Sequence, residues 1–292
     1  MAARGLAARP EELMRRALVF GGSGQVGAAL LRCLRDADWE VDAVSRHPQG
    51  DSPGLRWRQG SLAHCDGLPQ AVDAIFSCGP LDLFAAWYAQ SAITAPRVVA
   101  FGSTSAATKV DSVDPAERAL AGVLRDSEAR LHAAASARGV AASVLRPTLV
   151  YGAGRDRTVS RLAATARRLG WRRPVAPRGT GLRQPVHVDD LAAAAVAACD
   201  APAASGMDYD LPGGETLAWR EMVARTLASL QPSPRMVEVP APLFALMVRG
   251  ARLFGFGDGF GEGALARLRM DMVFDATPAH RDFGYAPRRF EP

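Results

Sequence analysis

The stretch that most constrains the fold of this chain is "LVFGGSGQVGAALL", residues 18–31, in which four glycines fall within seven residues. An apolar run precedes the glycines and predicts a β-strand at Ala17–Phe20. Apolar side chains then recur with helical period and predict a helix at Gln25–Asp36. A glycine-rich turn between a strand and a helix is typical of a nucleotide-binding loop, because the helix N-terminus attracts phosphate.

The glycines have separate roles in such a loop. Gly21 permits a tight turn, Gly24 lets the backbone approach a pyrophosphate, and Gly27 lets the helix pack closely against the strand. Two other glycine-rich motifs are excluded by residue type. A Walker A loop needs Lys after its last glycine, where this chain has Ala28. A GxSxG nucleophile elbow would need a glycine in place of Gln25.

The first half of the chain alternates short apolar runs with helical patterns, which predicts βαβ units in a parallel sheet. Further strands are predicted at Glu40–Val44, Leu55–Arg58, Ala74–Cys78, Arg97–Phe101 and Val140–Leu145. Helices are predicted at Pro115–Arg138 and Asp190–Cys199. The fold class is therefore α/β, a doubly wound Rossmann-type parallel sheet whose ligand lies at the carboxyl ends of the strands.

The less regular second half predicts a smaller substrate-binding region beside the nucleotide-binding domain. The expected division is a flexible tail at 1–15, a Rossmann domain at 16–150 completed by 183–212, and the smaller region at 151–182 and 213–292.

Three local features of the second half carry their own expectations. Asp189 and Asp190 are placed to cap the alanine-rich helix, and Thr216 to cap a helix that follows it. The five-glycine segment 254–263 is equally consistent with a mobile flap over a site and with a plain linker.

Composition limits the classes of partner. The net charge is +5, but Lys109 is the single lysine among 35 basic residues, which points to codon bias rather than to a basic binding surface. The Arg-rich segment 155–173 is the one candidate for nucleic acid, and a solvated helix explains it as well. Four scattered cysteines indicate a reducing, cytoplasmic compartment, with neither a metal site nor a disulfide framework. No apolar run is long enough to span a membrane.

The end of the second predicted strand bears on the choice of nucleotide. NAD-binding proteins commonly place an acidic residue there for the ribose 2′-hydroxyl. Here the strand ends in Ser45 and Arg46, of which the first cannot repel a 2′-phosphate and the second can pair with one. Asp42 lies too early, within the strand. This pattern favours NADP over NAD, although NAD stays possible.

Several segments together resemble the extended and atypical short-chain dehydrogenase/reductase superfamily, in its NAD-dependent epimerase/dehydratase (NDP-sugar epimerase-like) branch. They are "FGGSGQVG", "AIFSCGP" at 74–80, "VVAFGSTSA" at 98–106, "VLRPTLVYGAGR" at 144–155, "GTGLRQPVHVDDLAAA" at 179–194 and the ending "FDATPAHRDFGYAPRRF".

The resemblance implies positions for ligands. The implied cofactor-binding residues are Gly21, Ser23, Gly24, Gln25, Val26, Gly27, Ser45, Arg46, Ser61, Leu62, Cys78, Gly79 and Pro147. In sugar-nucleotide epimerases the counterpart of Arg183 contacts the substrate diphosphate, so Arg183 is the implied substrate-binding residue.

Catalysis in that family relies on a Ser or Thr together with a Tyr and a Lys in a YxxxK pattern. The residue of this chain that matches the family's Ser or Thr is Thr104, and Ser103 lies beside it. Aligning the family's glutamate with Glu128 places Leu120 and Leu124 at the Tyr and Lys positions. Leucine can neither transfer a proton nor lower a pKa, so the usual proton relay is not expected.

Three functional expectations follow from this departure. The protein is an NADP-dependent oxidoreductase or epimerase-like enzyme in which Thr104, Tyr151 or His187 replaces the relay, or one that takes its proton from water. Alternatively, it is a catalytically silent cofactor-binding structural, accessory or sensor protein. The expected partner is a small molecule, a nucleotide sugar or a carbonyl compound; the sequence favours neither nucleic acid nor membrane, and leaves the oligomeric state open.

Overall fold

The structure of the chain is a computed structural model. It describes residues 14–156, 158–168, 175–177, 180–231, 233–234, 237–252 and 269–292. The glycine-rich segment 254–263, predicted as a flap or a linker, lies outside the described residues, as do most of the predicted N-terminal tail and part of the Arg-rich segment.

The core is a seven-stranded sheet in which every neighbouring pair of strands is parallel. Its strands are β1 (Arg16–Phe20), β2 (Glu40–Ser45), β3 (Leu55–Gln59), β4 (Ala74–Ser77), β5 (Arg97–Phe101), β6 (Ala141–Pro147) and β11 (Asp208–Leu211). The order across the sheet is β11-β6-β5-β4-β1-β2-β3. Strand order reverses between β1 and β4, and open α/β sheets bind ligands at such a switch point.

Helices cover both faces of the sheet. The helices α1 (Gln25–Asp36) and α6 (Val188–Asp200) pack on one face, where β1 presents Ala17 and Val19. The helices α2 (Leu81–Gln90) and α4 (Pro115–Ser136) pack on the other, where β1 presents Leu18 and Phe20. Because both faces are buried, the strands are largely apolar along their length, and the predicted doubly wound fold is confirmed.

The remaining elements are short and lie mostly in the second half. They are α3 (Ser105–Thr108), β7 (Val150–Tyr151), α5 (Val159–Arg168), β8 (Val175–Pro177), β9 (Leu182–Arg183), β10 (Val186–His187), a 3₁₀ turn (Pro202–Ala204), β12 (Leu217–Ala218), α7 (Trp219–Ala228), β13 (Val237–Val239), α8 (Ala241–Arg252) and α9 (Thr277–Phe283). The strands pair as β7 with β10, β9 with β12 and β8 with β13. In the described part of the chain, no helix is both long and apolar enough to cross a bilayer.

Two predicted helix caps are wrong. The N-cap of α6 is His187, whose Nδ1 accepts the Asp189 N–H at 3.2 Å, so the two aspartates lie inside the first turn instead. The N-cap of α7 is Ala218, without a side-chain hydrogen bond. Thr216 instead accepts a hydrogen bond at 3.1 Å from Gln184 Nε2, because the intervening residues form β12.

A partly buried ion cluster holds α4 against the edge of the sheet. Arg146 on β6 donates to both carboxylate oxygens of Glu128, at 2.8 and 2.6 Å, and to Asp208 on β11 at 2.6 Å. His132 of α4 contacts the other oxygen of Asp208 at 2.7 Å. Glu128 is 4% exposed, so the cluster joins the buried side of α4 to β6 and β11.

Candidate cofactor site

Two positions of the β1–α1 turn have room for glycine and for no residue with a Cβ atom. Gly21 has a φ of +74°, and a Cβ on it would lie 2.8 Å from the carbonyl carbon of Cys78. A Cβ on Gly27 would lie 2.1 Å from the carbonyl oxygen of Gly21, a severe overlap. The Gly24 N–H donates to that same oxygen at 2.9 Å, which closes the turn. The carbonyl oxygen of Gly21 therefore contacts both other glycines of the GxxGxxG motif, Gly24 and Gly27.

The N-terminus of α1 fits a phosphate group. Its N-cap is Gly24, which offers no side-chain acceptor, and the first turn contains no acidic residue. The backbone N–H groups there keep the positive end of the helix dipole without compensation from a side chain. The Oε1 atom of Gln25 is buried and lacks a hydrogen-bond partner among the described atoms. A dinucleotide pyrophosphate binds to backbone N–H groups that no side chain caps, beside a glycine that lets the phosphate come close to the backbone.

The carboxyl end of β2 lies against the glycine turn. The Ser45 hydroxyl donates to Ser23 Oγ at 3.3 Å and accepts the His47 N–H at 3.3 Å. Ser45 is 4% exposed, whereas the next residue, Arg46, is exposed to solvent. Asp42 is buried within the strand and contacts Arg58 Nε at 3.0 Å. The strand end is therefore uncharged at Ser45, and the nearby carboxylate is already paired.

A cavity of about 420 Å³ opens beside this turn. Gly22, Leu31 and Trp57 are among its apolar lining residues, and the Trp57 ring lies 3.2 Å from where a Gly22 Cβ would lie. Its polar wall includes Arg32 and Arg155. Sequence reasoning did not assign Trp57 or Arg155 to the site, since neither lies in a recognised position of the glycine motif.

The segment after β3 supplies two of the implied cofactor residues. Ser61 Oγ accepts the N–H groups of Ala63 and His64, at 3.2 and 3.4 Å, so it stabilises its own turn. The Leu62 side chain lies 3.5 Å from the position that a Cβ on Gly79 would occupy. The turn after β3 is therefore packed against the residues that follow β4.

Cys78 and Val26 have packing roles at the same edge. The Cys78 N–H donates to the Phe20 carbonyl at 2.9 Å, which continues the β1–β4 pairing up to the glycine turn. Burial raises the pKa of the Cys78 thiol to about 12, so the thiol stays neutral. Val26 packs against the core on the α1 side of the sheet.

The segment after β5 brings two hydroxyls to the same edge. Thr104 is 8% exposed, and its hydroxyl donates to the carbonyl of Pro147 at 3.2 Å. Ser103 is half-buried, and its Oγ accepts the Ser105 N–H at 3.1 Å, which leaves its own proton available to donate. On α4, Leu120 is 42% exposed and Leu124 packs at the margin of the core.

Tyr151 and His187, the other proposed acid–base groups, lie in a packed cluster. Tyr151 is 1% exposed; its hydroxyl donates to the Arg289 carbonyl at 3.2 Å and accepts the Glu291 N–H at 3.3 Å. Burial raises the pKa of the Tyr151 phenol. Burial, followed by the nearby Arg288, lowers the pKa of His187, whose ring meets Tyr151 edge-on at 5.1 Å. Both side chains therefore support the strand pair β7–β10.

Arg183 is 7% exposed and is held by backbone. Its Nη1 donates at 2.7 Å to the carbonyls of Leu182 and Met270, and its guanidinium lies 5.7 Å from the Trp219 ring. Within the described ranges, no three His, Cys, Asp or Glu side chains gather closely enough to hold a metal ion.

Parts of the chain, or nearly all of it, are similar in sequence to known proteins. The model of the NAD dependent epimerase/dehydratase family matches residues 79–211. The 2-alkyl-3-oxoalkanoate reductase of Stenotrophomonas maltophilia (strain K279a) is 27% identical over 315 residues, which cover 93% of this chain and 94% of that protein. Protein y4nG of Sinorhizobium fredii (strain NBRC 101917 / NGR234) is 27% identical over 311 residues, covering 94% of this chain and 76% of its own.

Solved structures show the same fold. MoeE5 in complex with UDP-glucuronic acid and NAD superposes with a TM-score of 0.69 at 21% identity, over 94% of each chain. DesIV, the dTDP-glucose 4,6-dehydratase of Streptomyces venezuelae solved with NAD and TYD, gives a TM-score of 0.65 at 17% identity, over 94% of this chain and 92% of its own. The chain is thus similar to the NAD dependent epimerase/dehydratase family over residues 79–211, and it shares its fold with these solved structures.

Proposed function

We propose that the protein is an NADP(H)-dependent oxidoreductase that reduces a small carbonyl compound. The observation that carries this proposal is the end of β2, where the uncharged Ser45 lies against the glycine turn and is followed by the exposed Arg46. A carboxylate at this point would repel a 2′-phosphate, and an arginine attracts one.

The cofactor supplies a hydride when it is bound. The chain's own residues then have to hold the phosphates, exclude side reactions and orient the carbonyl oxygen. The glycine turn and the N-terminus of α1 would hold the pyrophosphate, and Ser103 would donate a hydrogen bond to the carbonyl oxygen. Because no titratable side chain is assigned to the proton, water would supply it.

A carbonyl substrate is favoured over a nucleotide sugar by the state of Arg183. Its Nη1 donates to two backbone carbonyls, which limits the fork that a diphosphate would need. The relative from Stenotrophomonas is named as a reductase of 2-alkyl-3-oxoalkanoates, and that name supports a 3-oxo acid as the first substrate class to test. Residues 151–182 and 213–292 would form the substrate-binding region.

The cofactor preference is tested by titrating NADPH and NADH into the protein and following nucleotide fluorescence. We expect NADPH to bind at least about tenfold more tightly, or roughly 1.4 kcal/mol. The Arg46→Ala variant should narrow that difference while NADH binding stays unchanged. Equal affinities in the unaltered protein would contradict the proposed cofactor.

Turnover is tested by following NADPH absorbance with 3-oxo acids, simple ketones and UDP-sugars. We expect oxidation of NADPH with a 3-oxo acid and none with UDP-sugars. Epimerisation or dehydration of a UDP-sugar would contradict the proposed substrate class.

The second candidate is a cofactor-binding protein without turnover. It is favoured by Leu120 and Leu124, which occupy the positions where the family's Tyr and Lys are expected. Tight NADPH binding combined with no reaction across the whole panel would support this candidate and exclude the reductase.

A further inference from the structure

The loop between β7 and α5 reaches back over the glycine turn. It contains Gly152 and Gly154 at φ values of +108° and +68°, a left-handed backbone that lets the chain double back. Directly after them, Arg155 is exposed, and its Nη1 donates to the carbonyl oxygen of Ser23 at 3.0 Å. One arginine from a distant part of the chain is thus anchored on the nucleotide-binding loop.

Ser23 connects this arginine to the end of β2. Its carbonyl oxygen accepts from Arg155, and its side-chain oxygen accepts from Ser45 at 3.3 Å. Arg46 follows Ser45 in the chain. Ser23 therefore contacts both Arg155 and Ser45, the residue that precedes Arg46 in the chain.

The charge of Arg155 is not neutralised by the described part of the chain. The neighbouring cavity residue Arg32 contacts Asp189 at 2.8 Å, and Arg288 contacts Asp190 at 2.8 Å, so those carboxylates have cationic partners. Arg155 has no carboxylate within ion-pair distance among the described residues, and its contact is to a neutral carbonyl. A guanidinium carries several N–H donors, so it can keep the carbonyl contact and still bind an anion.

We propose that Arg155 is a second ligand of the 2′-phosphate of NADP(H), acting with Arg46 to determine cofactor specificity. This inference rests on the proposed NADP preference. A phosphate oxygen accepts a charge-assisted hydrogen bond that is stronger than the bond to a neutral carbonyl, so binding of the 2′-phosphate would draw the β7–α5 loop onto the cofactor. The partners of the phosphate would then come from two segments separated by more than a hundred residues.

The test uses two small probes that differ in one phosphate: 2′,5′-ADP, which carries the 2′-phosphate, and 5′-AMP, which does not. Each is titrated calorimetrically into the full chain, its Arg155→Ala variant, and Arg130→Ala as a matched control. Arg130 is an exposed arginine of α4, so its removal changes the net charge equally. We expect Arg155→Ala to weaken 2′,5′-ADP about tenfold, or roughly 1.4 kcal/mol, and 5′-AMP less than about twofold. Arg130→Ala should change neither, and Arg155→Lys should recover part of the 2′,5′-ADP affinity.

Several outcomes separate the two proposals. Equal weakening of both probes in Arg155→Ala would mean that Arg155 only holds the loop in place, and would overturn its role in specificity. A preference for 2′,5′-ADP that is lost in Arg46→Ala but kept in Arg155→Ala would overturn the inference and leave the proposed NADP preference intact. No preference in the unaltered protein would overturn both.

Discussion

The β1–α1 turn and the segment after β5 meet the same carboxyl edge of the sheet, but they depend on different parts of the chain. The conformation of the turn depends on its backbone, because a Cβ atom on Gly21 or Gly27 would collide with main-chain atoms. The segment after β5 is defined by side chains, with Ser103 and Thr104 at the edge and Leu120 on α4.

The two regions therefore differ in how much a substitution would disturb the fold. A change at Gly27 would displace the turn that carries the fold's ligand site. Leu120 is 42% exposed, so a change there disturbs little of the packing that holds α4 in place. The backbone of the glycine turn is therefore strongly constrained by the fold, whereas the side chain at position 120 can be replaced at little cost to the packing.

The strongest test of the glycine turn is the variant Gly27→Ala. We expect a loss of about 2–3 kcal/mol in the free energy of unfolding, since the new Cβ overlaps the Gly21 carbonyl. Cofactor binding should fall below detection in the same titration. The matched control is Gly122→Ala on α4, where a Cβ meets nothing within 4 Å. That variant should gain about 0.5–1 kcal/mol. Intact cofactor binding in Gly27→Ala would contradict the role of the turn.

The strongest test of the α4 positions is the double variant Leu120→Tyr with Leu124→Lys, which places a tyrosine and a lysine one helical turn apart. We expect NADPH turnover to rise by about 10²-fold, the lower range for a positioned acid–base group, with the cofactor Kd unchanged. The single variant Leu120→Phe is the control for added volume. An unchanged rate in a folded double variant would show that these positions of α4 do not face the cofactor.

Ser103 and Thr104 should separate into different roles. Ser103→Ala should lower turnover about tenfold with little effect on stability, because its hydroxyl proton is free for the substrate. Thr104→Val should cost about 1 kcal/mol of stability, because it removes a buried hydrogen bond to the Pro147 carbonyl. Thermal unfolding and steady-state kinetics on both variants distinguish the two roles. If Thr104→Val lowered turnover and Ser103→Ala lowered stability, Thr104 would be the residue that contacts the substrate.

The smallest expected effect concerns pH. Burial and Arg288 lower the pKa of His187 in the folded state, so its stabilising contribution is present above the unfolded pKa near 6.5 and is lost as pH falls below it. His187→Asn keeps an N-cap acceptor for Asp189 but does not titrate. Between pH 7.5 and 5.5 it should lose less stability than the unaltered protein, by under about 1 kcal/mol. Identical pH dependence would mean that His187 makes no such contribution.

The sheet could be predicted from the sequence, and the periphery largely could not. Strands such as Arg97–Phe101 are continuous apolar runs because both faces are covered, and this pattern is local. The helix Leu81–Gln90 was not predicted, because its residues are apolar on most sides and lack clear helical periodicity. The prediction of a helix cap at Thr216 was wrong because of tertiary structure. Threonine is a suitable capping residue, but the next two residues pair as β12, so α7 begins only at Trp219.

Within the site, the glycine turn was predictable because its chemistry lies in consecutive residues. Arg155 and Trp57 were not assigned to the cavity, since only the folded chain brings them beside Ser23 and Gly22. Tyr151 is a candidate catalyst by residue type and by its four-residue spacing from Arg155, whereas its burial against Arg289 follows from contacts that no local pattern encodes.

The anchoring of Tyr151 has a consequence for the order of folding. Its hydroxyl contacts the backbone of Arg289 across a sequence separation of 138 residues, and the loop bearing Arg155 begins directly after it. Contacts between residues so far apart form late, because the entropy of closing the intervening chain has to be offset first. We therefore expect the glycine turn to be structured before the loop that covers it. A nascent chain would then keep the glycine turn uncovered until the residues around Arg289 pack against β7.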